Sequence, residues 1–290
     1  MVILNECEYA EKCLRDGVID TKPFNTLSIL AKYYYHHCGF KKKKIVCLLL
    51  EFLKKYYPRY ELDEFSWQST VEKIAANAGK YQLFEISGVK ISEKEMAVIE
   101  HINDKVLERL AFTMLCLAKL SDIKHPQNNG WVNISSKDIF KYARISCASA
   151  EREIKIGKLW RMGLLEFSKR NDNLNCRVTF IDNNSDESLF VSDFRELGYE
   201  YRKYKGEPFV HCAECGILIR ANKNGTKKYC KDCGAYTPQK IRKIICVDCG
   251  NEFEVDARVV NKTRCSICQN AKIREDTKKR VQKLRDNQKM

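Results

Sequence analysis

The chain has 290 residues, with 52 Lys+Arg against 38 Asp+Glu and a formal net charge of +14. Hydrophobic content of 44% and aromatic content of 10% exclude a disordered chain, and 13 Gly with 5 Pro exclude a fibrous or low-complexity one. The longest apolar run, Ile45 to Leu50, falls far short of the roughly 18 residues of a membrane helix. The N-terminus has no basic region leading into an apolar core, so no secretory leader is expected. The 15 Cys are therefore expected in a reducing cytoplasm, as metal ligands or buried small hydrophobes rather than disulfides.

Charge and cysteine are unevenly spread. Tyr199 to Met290 holds 22 Lys+Arg, 11 Asp+Glu and eight Cys, a net of +11, which leaves +3 for the first two thirds. The expected architecture is α+β, in five parts. Residues 1–90 are expected to be a helical bundle, 91–182 a mixed helix-and-strand domain, 183–207 a linker, 208–270 two small cysteine-rich β modules and 271–290 a basic tail.

In the bundle, an apolar-periodic stretch opens at Pro23 and runs through Leu27, Ile29, Leu30 and Tyr33–Tyr35 to a stop at Gly39. A second helix, Ile45–Tyr57, follows Lys41–Lys44 and ends at Pro58; a third spans Ser66–Ala78. Tyr33, Tyr34 and Tyr35 beside His36, His37 and the Lys run read either as a basic aromatic patch for single strands or as core plus a solvated helix start.

From Ser92 the pattern changes. Ser92 and Glu95 form a capping box ahead of a long helical stretch through Leu107, Leu110, Met114, Leu117 and Leu120, which Pro126 and Gly130 end. Trp131–Ile134 reads as a strand, and Ser135 caps a short helix carrying Ile139 and Phe140. Ser146 opens a helix to about Met162. A hairpin follows, from Gly163–Phe167 across the polar turn Arg170–Asn173 to Cys176–Ile181.

This order of elements resembles the winged-helix family, a helix-turn-helix variant, over about 90 residues; the run from Ile156 to Leu165 is similar to that family's third helix and its entry into the wing. The resemblance implies DNA reading by the helix Ser146–Met162 in the major groove. At 100° per residue, Ala148, Ile156, Leu159 and Trp160 share the core arc. Glu151, Ile154, Lys155, Lys158 and Arg161 lie opposite, and Arg152 sits awkwardly on the apolar side. Lys155, Lys158 and Arg161 are candidate nucleic-acid contacts, with Lys169 and Arg170 on the wing, although a solvated helix face shows the same pattern.

The acidic, polar run Asp182–Ser188 has the composition of an exposed connector. Beyond it stand four Cys-x-x-Cys pairs: Cys212/Cys215, Cys230/Cys233, Cys246/Cys249 and Cys265/Cys268. A tetrahedral Zn²⁺ takes four thiolates at about 2.3 Å, and two Cys-x-x-Cys turns brought together by a hairpin close that shell. Gly216, Gly234 and Gly250 follow the pairs, where a tight knuckle benefits from positive φ, and Asn224-Gly225 marks a turn. Two structural zinc ions are expected, with sequential and cross-braced pairing both open. His211 could compete as a ligand.

The runs Cys212–Ile219, Lys228–Cys233, Cys246–Phe253 and Arg264–Cys268 resemble the zinc ribbons at the C-termini of many small phage and mobile-element proteins of low-GC Gram-positive bacteria. That resemblance implies zinc binding and leaves the activity open. Lys227, Lys228 and Arg264 join the candidate nucleic-acid contacts. The tail from Ala271 reads as a polar helix or a disordered basic segment.

No P-loop, dinucleotide fingerprint, zinc-protease or serine-hydrolase motif occurs, so no enzyme is expected. Cys7, Cys13, Cys38, Cys47, Cys116, Cys147 and Cys176 read as buried thiols; Cys147, near a helix N-terminus, is the first to test for reactivity. The expected function is a cytoplasmic, zinc-containing nucleic-acid-binding protein, DNA favoured over RNA, acting as a regulator or replication accessory factor in a bacterial cell or, if phage-encoded, in its host. The alternative is an adaptor or inhibitor docking on a host polymerase or defence complex. Neither a membrane nor a small-molecule substrate is expected.

Overall fold

The computed structural model describes residues 2–20, 23–62, 64–168, 175–222, 224–235, 241–256 and 261–287. The chain divides into two compact units, 1–228 and 229–290.

The first unit holds two hydrophobic cores. Helices α1 (Glu6–Asp16), α2 (Pro23–His36), α3 (Lys42–Tyr56) and α4 (Glu64–Asn77) enclose Ala10, Leu27, Leu30, Ile45, Leu49 and Val71. Helix α1 had no counterpart in the sequence reading. It forms because the Asn5 side chain accepts from the Glu8 N–H (3.0 Å) and Ala10 and Cys13 bury one face. Gly17 ends it at φ 64°, with the Tyr56 ring 2.3 Å from where a Cβ would sit, so only glycine lets α1 close onto α3.

The second core is built by β1 (Val89–Ser92), α5 (Glu93–Glu100), α6 (Lys105–Lys124), β2 (Trp131–Val132), α7 (Ser136–Tyr142), α8 (Ser149–Arg161), β3 (Leu165–Phe167), β4 (Cys176–Val178), β5 (Glu187–Val191) and α9 (Leu197–Tyr204). Helix α6 is buried on nearly every side from Leu110 to Leu120, as a helix apolar all round must be. It is wrapped by α5, α7, α8, α9 and strands β1, β2 and β4. Strands β2, β4 and β3 form an antiparallel sheet in that order, and β1 pairs antiparallel with β5.

The capping box at Ser92 forms, with Ser92 N–H to Glu95 at 2.7 Å and Glu95 N–H to Ser92 Oγ at 3.2 Å. Glu95 is fully buried; it also accepts two 2.8 Å bonds from Lys119 Nζ and one from the Asp182 N–H. One carboxylate thus ties α5, α6 and the end of the sheet together.

Three expectations change here. The long helix after Ser92 is two helices: Asn103 adopts φ 55° and Asp104 caps a fresh start by accepting from Val106 and Leu107 N–H. Helix α8 begins at Ser149 rather than Ser146, and its Ala148 cap makes no side-chain bond. The expected linker 183–207 is instead part of the core. Val191, Phe194, Leu197 and Tyr201 are buried, and Tyr201 Oη donates to Glu108 at 2.8 Å. Gly198 makes that docking possible, because a Cβ there would meet Ala143 O at 2.0 Å. The wing turn Arg170–Asn173 lies outside the described residues.

Small elements follow. Strands β6 (Phe209–His211) and β7 (Leu218–Arg220) pair antiparallel. In the second unit α10 (Lys231–Ala235) precedes the antiparallel pair β8 (Ile241–Ile245) and β9 (Glu252–Asp256), then α11 (Ser266–Asn287). The expected basic tail is the body of α11, which Lys272–Asp276 (3.6 Å) and Lys279–Glu275 (2.6 Å) pairs support.

Candidate metal centres

The eight paired cysteines gather into two groups, Cys212/Cys215/Cys230/Cys233 and Cys246/Cys249/Cys265/Cys268, each with its four Sγ atoms within 4.8 Å of one another. Pairing is therefore sequential, not cross-braced. Four thiolates at about 2.3 Å from a tetrahedral ion stand about 3.8 Å apart. The Cys249 and Cys265 sulfurs are 3.8 Å apart, the spacing a tetrahedral Zn²⁺ requires of such a pair.

Both groups use the same two turns. The first pair of each sits in a knuckle closed by Gly216 N–H to Cys212 O or Gly250 N–H to Cys246 O, both 2.9 Å, with each glycine at φ 70°. A side-chain-bearing residue would be strained there. The second pair differs from expectation: Gly234 shows no positive φ, because Cys233-Gly234 lies inside α10. Likewise Cys265 precedes α11 and Cys268 lies in its first turn, with Gln269 N–H donating to Cys265 O at 2.9 Å. A helix N-terminus favours the negative charge of a ligand thiolate. Asn224-Gly225 makes a turn, Gly225 N–H to Asn222 O at 3.0 Å, but it leads toward Cys230 rather than joining two strands.

Four thiols this close cannot all ionise without a cation. The Cys265 N–H donates to Cys246 Sγ at 3.4 Å and draws the Cys246 thiol down to about 6. Cys268 is pushed up by its hydrogen bonds to Cys265 and Cys249. Cys249 also ends up raised: the Asn251 N–H pulls it down, but proton sharing with Cys246 and burial outweigh that pull. A dication reverses this order by making every thiolate favourable.

Charged side chains brace the knuckles. Arg195, held by Asp193 (2.7 Å), donates from Nη1 to Cys215 O at 3.0 Å. Arg264 Nε donates to Asp248 Oδ2 at 2.7 Å, between Cys246 and Cys249. Arg264 was expected on nucleic acid; its guanidinium is spent on the second knuckle. Arg195 escaped the sequence reading because it lies 20 residues from its acceptor. His211 is outside the Cys groups: Nδ1 meets Gly216 O at 3.0 Å and Nε2 meets Lys203 Nζ at 3.2 Å.

The other candidates are dispersed. Lys158 and Arg161 are exposed on α8, while Lys155 is partly buried with Glu151 at 3.5 Å. Ile156 and Leu159 are core, as expected. Trp160 is not: it is 50% exposed and packs on Phe167 with ring centres 5.8 Å apart. Ala148 is exposed as well. Lys227 and Lys228 are exposed, and Lys169 and Arg170 lie outside the described residues.

In the bundle, Tyr34 is core, Tyr33 stacks on His37 at 4.9 Å, His36 Nε2 meets Tyr81 O at 2.8 Å and Tyr35 is exposed. The triplet is thus mainly structural. Of the seven remaining cysteines, Cys13, Cys116 and Cys176 are buried and their thiols pushed up by burial, Cys176 to about 11. Cys47 is exposed, on the face of α3 opposite Ile45 and Leu49.

No described helix is long and apolar enough to cross a membrane. Comparison of the chain with protein-family models, with characterised proteins and with solved structures finds no match.

Proposed function

We propose that this chain is a zinc-containing nucleic-acid-binding protein, with duplex DNA the favoured ligand. In this reading two structural Zn²⁺ ions hold the C-terminal ribbons, and residues 91–182 act as a winged helix with α8 as the recognition helix. The observation that carries it is the outer face of α8, where Lys158 and Arg161 are exposed beside the β2-β4-β3 sheet. Eight thiolates and two Zn²⁺ reduce the C-terminal third from +11 to about +7, still enough to attract a phosphate backbone. Lys227 and Lys228 would add backbone contacts. Closed shells of four cysteines leave no open coordination position, which suits a structural rather than a catalytic zinc. A regulator or replication accessory factor of a phage or mobile element, working in the cytoplasm, fits this set of modules.

A second reading has its own observation. Ile154 (60%), Trp160 (50%) and Met162 (51%) are exposed on and just past α8, which favours a protein-docking adaptor or inhibitor of a host polymerase or defence complex. Salt-dependent binding separates the two. For nucleic acid, affinity for a duplex measured by fluorescence anisotropy falls steeply between about 50 and 200 mM salt. Affinity that is absent, or indifferent to salt, removes the first reading.

A further inference from the structure

A cavity of about 490 Å³ opens between α7, the start of α8 and α9. Its walls carry Lys137, Lys141, Arg144, Arg152, Cys147 and Tyr199, and no described Asp or Glu lines it. Arg144 is neutralised by a bidentate pair with the buried Glu196 and lies over the Tyr199 ring at 5.4 Å. Lys137, Lys141 and Arg152 form no ion pair among the described residues and keep their charge for another partner. Arg152 Nε is, among the described residues, the one buried side-chain polar atom with no hydrogen-bond partner. Such an orphan marks a group whose partner is absent. Helix α8 also starts at this cavity without a side-chain cap, so its first N–H groups add positive potential.

We propose that this cleft binds a phosphate group, as the monoester of a free nucleotide or strand end or as a backbone diester. A phosphate monoester, at nearly two negative charges near neutral pH, answers more of these three cations than a carboxylate does, and a diester matches a carboxylate in charge but offers tetrahedrally disposed oxygens that several donors can share. The Arg152 guanidinium, which lines the cavity, adds a planar, permanently charged group suited to phosphate oxygens. The inference is separate from the reading of α8 above: a phosphate can fill the cleft whether or not the outer face of α8 touches bases.

Cys147 lines the cavity and reports on its occupancy. The zinc-loaded full chain is alkylated with iodoacetamide, and each cysteine is followed by peptide mass spectrometry. Inorganic phosphate at about ten times its Kd should slow Cys147 labelling about tenfold and leave exposed Cys47 unchanged. Arg152→Met, and separately Lys137→Ala/Lys141→Ala, should weaken that protection at least roughly tenfold. The Lys pair is exposed, so that variant keeps the fold even where Arg152→Met does not. Protection no greater than that given by chloride at equal ionic strength, or unchanged in the double Lys variant, overturns the proposal.

Two oligonucleotide arms name the source: protection only by strands with a terminal phosphate, or by a nucleoside monophosphate, assigns a monoester, and equal protection by strands lacking one assigns the backbone. Phosphate protection without duplex binding leaves the cleft and removes the nucleic-acid reading. Duplex binding without phosphate protection does the reverse.

Discussion

The α6 core and the second ribbon solve the same problem in opposite ways. Around α6, side chains such as Leu110, Phe112, Met114 and Leu117 are at most 1% exposed, and apolar burial at about 25 cal/mol per Å² holds the elements together. In the second unit only Cys246 and Val255 are buried hydrophobics among the described residues, while Ile245, Val247 and Ile267 are 63–79% exposed. A hairpin and two helices with that little core do not fold on apolar burial. What can organise them is the thiol cluster, which is arranged to hold a metal ion. The chain therefore combines a part held by its own packing with a part whose cysteines are grouped to hold metal.

Breaking the cluster should have the largest effect. Structural zinc contributes on the order of 10 kcal/mol to a small site. Cys265→Ser should reduce metal content by native mass spectrometry from two ions to one, and melt β8 and β9 while α6 keeps its helicity. Retention of two ions would contradict the assignment.

The converse variant strikes the packed part. Lys119→Met leaves the buried Glu95 carboxylate without its cation and should cost about 3–5 kcal/mol, read as a lowered midpoint in denaturant. Its zinc content should not change. A neutral effect would show that Glu95 is satisfied by Ser92 and Asp182 alone.

Acid should act on the metal-dependent part first. Thiols must lose protons to bind, so metal affinity falls as pH falls. Cys246, depressed to about 6 from an ordinary value of 9.0, supplies stability that is complete above 9.0 and lost as pH falls through about 6. Cys249 and Cys268 are shifted upward and hold protons at neutral pH until the ion displaces them. Chelator competition at stepped pH should therefore show the second site weakening throughout, most steeply below about 6. A pH-independent affinity would exclude thiolate ligation.

Smaller still is the effect expected of Lys155→Ala/Lys158→Ala. Duplex affinity should fall by a few fold and the salt slope by about 1–2, with thermal stability unchanged. An unchanged slope would take α8 out of the interface and leave the ribbons and α11 to carry it.

What was legible in the sequence follows the same division. Ligand chemistry is rigid, so four Cys-x-x-Cys pairs announced both clusters, down to the glycines at φ 70° after Cys215 and Cys249. Packing is contextual, and the local pattern does not reveal it. The polar run Asp182–Ser188 masked β5 and α9 behind it, although Leu197, Gly198 and Tyr201 recur at helical spacing and are all buried. The α5/α6 break depends on one left-handed Asn103 that a long apolar period conceals. Trp160 has the arc of a core residue, yet it lies at the edge of α8 and turns outward onto Phe167. Arg152, which fitted neither face of the helix, lines the basic cleft instead.

Hydrogen–deuterium exchange of the intact chain, with and without a zinc chelator, separates the two kinds of stabilisation. Chelation should abolish protection in β8 and β9, Ile241–Ile245 and Glu252–Asp256, and leave α6, Lys105–Lys124, as slow to exchange as before. Strands β8 and β9 that stay protected without metal would contradict this division.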